Sequence, residues 1–191
     1  NKGAKTIVHD KKFEGLKDGV LYLSLKNVRK TLAETSYKIN SSKIPNLIAV
    51  TGTNGKSSIC NFYFQILNLN KKKVASIGTL GVKTKSVNFS MTNTTTNPLQ
   101  LSKHLKYLSK NKIDNIILEA SSHGLKQHRL DGLKFNKGIF TNLSHDHLDY
   151  HKSYNNYLDA KLYLFKNLLS KRAIIITAVS YTHLTLPTKD S

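Results

Sequence analysis

The chain has 191 residues, with 30 Lys and Arg against 11 Asp and Glu, a net charge of +19 and a single Cys. That length supports one good core and part of a second domain; the lone Cys60 excludes an internal disulfide, and no apolar run approaches the roughly 18 residues of a membrane helix. The basic residues are mostly Lys spread along the whole chain, with one run at Lys71-Lys72-Lys73, so a solvated surface in a Lys- and Asn-rich composition accounts for the charge better than a nucleic-acid interface does.

The chain opens at Asn1 without a Met and without a visible signal peptide, as a fragment would. Gly19 to Leu23 reads as a strand and Asn27 to Tyr37 as a helix. Ser41-Ser42-Lys43-Ile44-Pro45 reads as a linker, because polar residues and a Pro punctuate it. From Asn46 strands and helices alternate. Leu47-Ile48-Ala49-Val50 is a buried strand, Ser57 to Leu67 a helix, and Val74 to Ile77 a short strand. Pro98 to Lys110 is an amphipathic helix with Pro at its start, Ile113 to Glu119 a buried strand, and Gly138 to Asn142 another. Tyr154 to Leu169 reads as a strong helix and Ala173 to Thr177 as a last apolar strand. This alternation predicts an α/β fold with a doubly wound, mainly parallel sheet, whose ligands sit beyond the carboxyl ends of the strands. The expected division is a partial small α/β domain over residues 1–43, a main domain over 44–178, and a tail, 179–191, that resembles sequencing-adapter read-through rather than protein.

Thr51-Gly52-Thr53-Asn54-Gly55-Lys56-Ser57-Ser58 joins the first buried strand to a helix. A Gly turn at a helix N-terminus presents free backbone N–H groups and the positive helix end to a phosphate. Lys56 adds a point charge, and the Ser57 hydroxyl can reach Mg2+. The usual nucleotide loop has a Gly five residues before Gly55; Val50 stands there, so this is the shorter Gly-Thr-Asn-Gly-Lys-Ser form. Glu119 ends its strand at the ligand edge, where a carboxylate can hold Mg2+. Ser121-Ser122-His123-Gly124 and Gln127-His128-Arg129 follow as a polar loop expected to face ligand, Arg129 being suited to gripping a carboxylate or phosphate.

Residues 141–151 contain His145, Asp146, His147, Asp149 and His151. No Cys is nearby and the spacing fits no common zinc helix, so zinc is disfavoured. His147 is read as a Mg2+ ligand or its support, and His145 and His151 as structural. On a helical wheel Lys161 falls in the middle of the apolar arc of Tyr157, Leu158, Leu164, Phe165, Leu168 and Leu169, opposite Asp159, Lys166 and Asn167. Two readings stay open: the side chain snorkels to the surface, or it stays buried with its pKa lowered, as a neutral amine able to add CO2 and become a metal-binding carbamate.

Together these stretches resemble the Mur ligase family, and within it the branch that adds the third residue of the peptidoglycan peptide. The resemblance rests on Thr51 to Ser57, Thr94-Thr95-Thr96, Glu119 to Arg129, Asn142 to His151, and Ala160-Lys161 fourteen residues beyond His147; it runs from about Asn27 to Thr177. The loop alone fits any Mur ligase or a folylpolyglutamate synthetase; the Ser-Ser-His-Gly-Leu and Gln-His-Arg block is more specific. The resemblance implies a cytoplasmic, monomeric ATP-dependent ligase that phosphorylates the D-Glu carboxylate of UDP-MurNAc-L-Ala-D-Glu and joins an amino acid, meso-diaminopimelate or L-lysine, through an acyl phosphate. It implies that Gly52, Thr53, Asn54, Gly55, Lys56, Ser57 and Ser58 hold ATP, with Lys56 steadying the transferring charge. Ser57 and Glu119 would hold one Mg2+, while His147 and a carbamate on Lys161 would help hold a second. Thr94, Thr95, Ser121, Gln127 and Arg129 would contact the UDP-muramoyl dipeptide. Two departures stand out: Ser57-Ser58 where Thr-Thr is common, and His145 where Arg is often found. A basic nucleic-acid-binding ATPase is the rival from another class.

Overall fold

The computed structural model describes residues 3–177, and the tail 179–191 lies outside them. A small sheet is built from β1 (Thr6–His9), β2 (Gly15–Lys17) and β3 (Val20–Ser24) in the order β1-β3-β2, with β1 parallel and β2 antiparallel to β3. Then follow α1 (Val28–Ile39), β4 (Asn46–Thr51), α2 (Lys56–Leu69), β5 (Val74–Gly78), β6 (Gly81–Lys83), β7 (Asn88–Phe89), α3 (Pro98–Lys110) and β8 (Asn115–Glu119). α4 (Ser122–Lys126), β9 (Phe135–Phe140), α5 (Leu148–His151), α6 (Tyr154–Tyr163) and β10 (Leu169–Thr177) complete the series. The large sheet has the order β10-β9-β4-β8-β5-β6-β7, parallel from β10 to β5 with an antiparallel hairpin at the other edge.

β4 is apolar on both faces because both are covered. Leu47 and Ala49 join the core that contains Leu101, Leu105 and Leu108 of α3, while Ile48 and Val50 pack with Cys60 of α2. Cys60 is 3% exposed and its thiol pKa is pushed up, first by burial, which fits the packing role. α1 belongs to the main core: Ala33 and Tyr37 are buried in it, and the Tyr37 hydroxyl donates to the Arg129 carbonyl at 2.7 Å. Among the described residues no helix is long and apolar enough to cross a membrane.

Several elements differ from the sequence reading. The strand expected at 138–142 runs over Phe135–Phe140 instead, because Phe135 and Phe140 are both sealed in the core and the polar Asn136 side chain accepts a bond from Leu47 N–H. The helix expected to reach Leu169 ends at Tyr163 and passes into a π-helical turn, Leu164–Leu168. That turn seats Phe165 over Gly138, where a Cβ would fall 2.9 Å from the Phe165 ring, and β10 begins at Leu169 rather than Ala173. The polar stretch after Glu119, expected as a loop, contains the short helix α4.

Candidate active site

Three strand ends meet. β8 lies beside β4 with Glu119 opposite Val50, and β9 lies on its other side with Phe140 opposite Thr51. The chain leaves β4 through Gly52 (φ +142°) and enters α2 through Gly55 (φ +82°). Neither conformation suits a side chain. A Cβ at Gly52 would fall 1.9 Å from Thr141 Oγ1, while the Cβ direction of Gly55 opens onto empty space. No side chain caps α2 at its first turn, which leaves its leading N–H groups aimed outward, as a phosphate requires.

Glu119 is 2% exposed. Its carboxylate accepts from Ser57 Oγ (2.9 Å), Thr79 N–H (2.9 Å) and Thr79 Oγ1 (3.2 Å). Gly78 makes room for it, since a Cβ there would stand 2.0 Å from Glu119 Oε1. A buried carboxylate held by neutral donors, with no ammonium or guanidinium among the described residues bonded to it, is a fitting seat for a cation. Lys56 folds back over the loop, its Nζ donating to the carbonyls of Gly52 (3.0 Å) and Thr53 (2.7 Å). Burial lowers its pKa, against the opposing pull of Glu119 and Asp146.

Lys161 is 1% exposed, so the snorkelling reading fails. Its Nζ donates to the same Gly52 carbonyl at 2.6 Å and lies 4.3 Å from the centre of the Tyr157 ring. Burial first, and then the neighbouring Lys56 charge, lower its pKa to about 7, with Asp146 pulling the other way. Tyr157 is itself 1% exposed, and its hydroxyl bonds Thr53 Oγ1 at 3.0 Å, which also accepts from Ser144 N–H. One aromatic residue thus packs against the amine and latches the loop. The sequence reading used Tyr157 only as part of an apolar arc.

His147 is exposed, sits at φ +52° before α5, and lies 3.5 Å from Asp146 Oδ2. Its ring contacts those of His123 (4.9 Å) and Tyr157 (6.3 Å), which brings it to the Tyr157 side of Lys161 without a bond between them. His151 is buried, as a structural residue should be: Nε2 meets Ser122 Oγ at 3.0 Å, and burial leads the causes that lower its pKa to about 4. His145 departs from the structural reading. It is exposed, against Tyr154, because Leu143 supplies the buried contact of that segment.

The residues expected to meet substrate divide by role. Thr94 Oγ1 bonds Thr79 Oγ1 at 3.0 Å, one step from the Glu119 carboxylate. Thr95 is buried; its hydroxyl donates to the Glu119 carbonyl (2.8 Å) and accepts from Ser121 N–H (3.0 Å), which makes it a strut between segments. Ser121 Oγ caps α4 by accepting from Gly124 N–H. Arg129 donates through Nε and Nη2 to Gln127 Oε1 (3.1 and 2.7 Å) and through Nη1 to the Thr95 carbonyl. Arg129 and Gln127 line a recess of about 140 Å3 with Arg29, Leu32 and Pro98. Sequence reasoning missed Thr79 and Gly78, although a Gly-Thr pair at a strand's carboxyl end is a readable signal for that edge.

Residues 50–186 match the Mur ligase middle domain. The UDP-N-acetylmuramoyl-L-alanyl-D-glutamate--2,6-diaminopimelate ligase of Rickettsia bellii is 44% identical over 179 residues, covering 92% of this chain and 37% of that protein. The protein of the same name from Clostridium tetani is 39% identical over 173 residues, covering 88% of this chain and 36% of its own. A solved structure of a ligase of that name superposes with a TM-score of 0.73 at 31% identity, over 88% of this chain and 35% of that one. The E. coli FolC structure with DHPP and ADP, at TM-score 0.60 and 18% identity over 80% of this chain and 42% of that one, shares the fold. The chain therefore spans little more than a third of the length of these curated relatives.

Proposed function

The chain belongs to the Mur ligase family, and from that premise we propose that it carries the nucleotide- and metal-binding part of an ATP-dependent ligase. The reaction joins meso-diaminopimelate to UDP-MurNAc-L-Ala-D-Glu through an acyl phosphate on the D-Glu carboxylate, in the cytoplasm. The choice of amine follows the names of the relatives. The observation that carries the reading is the burial of Lys161 with its Nζ 2.6 Å from the loop carbonyl of Gly52, beside Lys56.

In this reading Gly52 to Ser58 wrap the phosphates, with the leading N–H groups of α2 as donors. Lys56 swings from its two carbonyl acceptors to the transferring phosphoryl group. Ser57 and Glu119 would hold one Mg2+, and His147 with Lys161 a second. Such ions, when bound, neutralise the charge that develops on the phosphoryl oxygens. Lys161 reaches that role by chemistry of its own. A neutral amine adds to CO2, an N–C bond forms, one proton leaves to solvent, and the product is an anionic carbamate. Thr94, Gln127 and Arg129 are assigned to the muramoyl dipeptide, with Thr95 and Ser121 shaping that wall.

The test is ATP-dependent phosphate release by the protein at the full length of its relatives. Release that requires both UDP-MurNAc-L-Ala-D-Glu and meso-diaminopimelate is expected. Release with L-lysine in its place would reassign the amine, and release with a pteroate and L-glutamate would move the chain to a folate-type ligase.

A further inference from the structure

The phosphate loop makes no use of the lysine run. Lys71, Lys72 and Lys73 follow α2, at the amino end of β5 and so at the sheet end opposite Glu119. With Lys85, from the turn between β6 and β7, they line a cleft of about 400 Å3. Val74, Val87, Leu108 and Ile113 give it an apolar floor, and Tyr107, 41% exposed, stands at its side. The Tyr107 ring is set edge-on against Phe89 at 5.5 Å. No carboxylate lines the cleft, and among the described residues none of the four ammonium groups is in an ion pair.

Lysines at helix carboxyl ends are ordinarily explained as caps, and α2 and α3 both end here. Three of the last four carbonyls of each helix are already taken. Ile66, Leu67 and Asn68 accept from the N–H groups of Asn70, Lys72 and Lys71, and Tyr107, Leu108 and Ser109 accept from those of Asn111, Ile113 and Lys112. The two helix ends contribute about half a negative charge each. Four ammonium groups therefore keep an excess of roughly three positive charges around an apolar floor.

We propose that this cleft is a second ligand site, for a phosphomonoester carrying a flat ring, the size of a mononucleotide. A phosphomonoester brings about 1.5 to 2 negative charges at neutral pH. Lysines meet phosphate as point charges. The ring lies on the aliphatic floor against Tyr107. The volume falls in the lower part of the small-ligand range. The site is separate from the phosphate loop by the 14-residue length of α2, about 21 Å, and it stands whether or not that loop binds ATP.

The experiment is a titration of the 15N-labelled chain with AMP, adenosine and pyrophosphate, without Mg2+, in about 0.15 M salt, followed by amide shifts. Saturable AMP shifts at Val74, Ser86, Tyr107 and Asn111 are expected, with Kd below about 1 mM and at least about tenfold weaker binding of adenosine and pyrophosphate, a difference of about 1.4 kcal/mol. Binding is expected to survive Lys56→Ala, which disables the loop. It is expected to survive a control triple on the small-sheet segment, Lys12→Ser/Lys17→Ser/Lys26→Ser. It should vanish in Lys72→Ser/Lys73→Ser/Lys85→Ser, whose amide spectrum and melting temperature report its folding. Shifts confined to residues 52–58, equal affinity for adenosine or pyrophosphate, or equal weakening in the control triple would each overturn the proposal.

Discussion

Replacing Lys161 by Met is expected to stabilise the chain while removing its proposed metal chemistry. Met nearly matches the volume of the Lys side chain and carries no charge. The Gly52 carbonyl keeps Lys56 as a donor at 3.0 Å, so no buried acceptor is orphaned. A fall in the Lys161 pKa from 10.5 to about 7, at about 1.4 kcal/mol per pH unit, corresponds to about 5 kcal/mol of strain in keeping this amine inside. Relaxation around the charge reduces the realised gain to about 2–3 kcal/mol, or roughly 5–10 °C in melting temperature for a chain of this size. The sign with pH follows from the same shift. Below about pH 7 the lysine is protonated in both folded and unfolded chains and its penalty is full; above 10.5 it is neutral in both and the penalty is gone. The stability gap between Lys161→Met and the parent is therefore flat below about pH 7 and closes toward pH 10.5. Urea denaturation from pH 6 to 10.5 in CO2-depleted buffer reads it directly. A Met variant less stable than the parent at pH 7, or a gap independent of pH, would refute the reasoning.

Three further outcomes are expected. Gly52→Ala sets a Cβ 1.9 Å from Thr141 Oγ1 at a φ of +142°; strain and overpacking together cost on the order of 3 kcal/mol, and nucleotide affinity falls at least about tenfold, as equilibrium binding would record. Glu119→Gln keeps an acceptor for Thr79 N–H and can turn its NH2 to donate to the Ser57 and Thr79 hydroxyls, but loses the charge, so Mg2+-dependent nucleotide binding should weaken by about tenfold or more while thermal stability changes by about 1 kcal/mol or less. If binding with Mg2+ is unchanged, Glu119 has no part in the cation seat. Tyr157→Phe removes the bond to Thr53 Oγ1 but leaves the ring over Lys161; it should cost about 1 kcal/mol, against roughly 3–5 kcal/mol for Tyr157→Ala, compared by denaturant midpoints.

What could be read in the chain alone was what local rules control. The phosphate loop is contiguous, its glycines sit where φ is positive, and its helix follows at once, so its geometry is written in eight adjacent residues. Lys161 was legible because helical periodicity put it in an apolar arc, although periodicity alone left burial and snorkelling equally open. The residues that escaped work across long separations. Tyr157 reaches Thr53 across 104 residues, and Thr95 ties the Glu119 carbonyl to Ser121. Thr79 serves a carboxylate forty residues on. Short elements escaped for a different reason: five residues in α4 and four in α5 hold too few turns to show a period. His145 and His151 looked alike in sequence. Only packing separates the exposed ring from the buried one.

The sheet order explains why Lys161 and Lys56 meet at one carbonyl. The chain leaves β4 for β5 by stepping over the position that β8 later fills, and leaves β8 for β9 by crossing to the other side of β4. Strand order thus reverses around β4, and the carboxyl end of β4 opens into the crevice where such sheets bind ligands. Gly52 is the first residue beyond that end, so its carbonyl faces groups arriving from both sides. Lys56 arrives from α2 and Lys161 from α6, the helix that follows β9. Two lysines on one acceptor would repel each other if both were charged. The arrangement is tolerable because the deeper one, 1% exposed, has its pKa drawn to about 7 and carries its proton only part of the time near neutrality. The same topology that positions a phosphate loop therefore also generates a poised amine beside it, and a side chain at position 52, at the carbonyl both lysines share, would collide with Thr141 and Asn142.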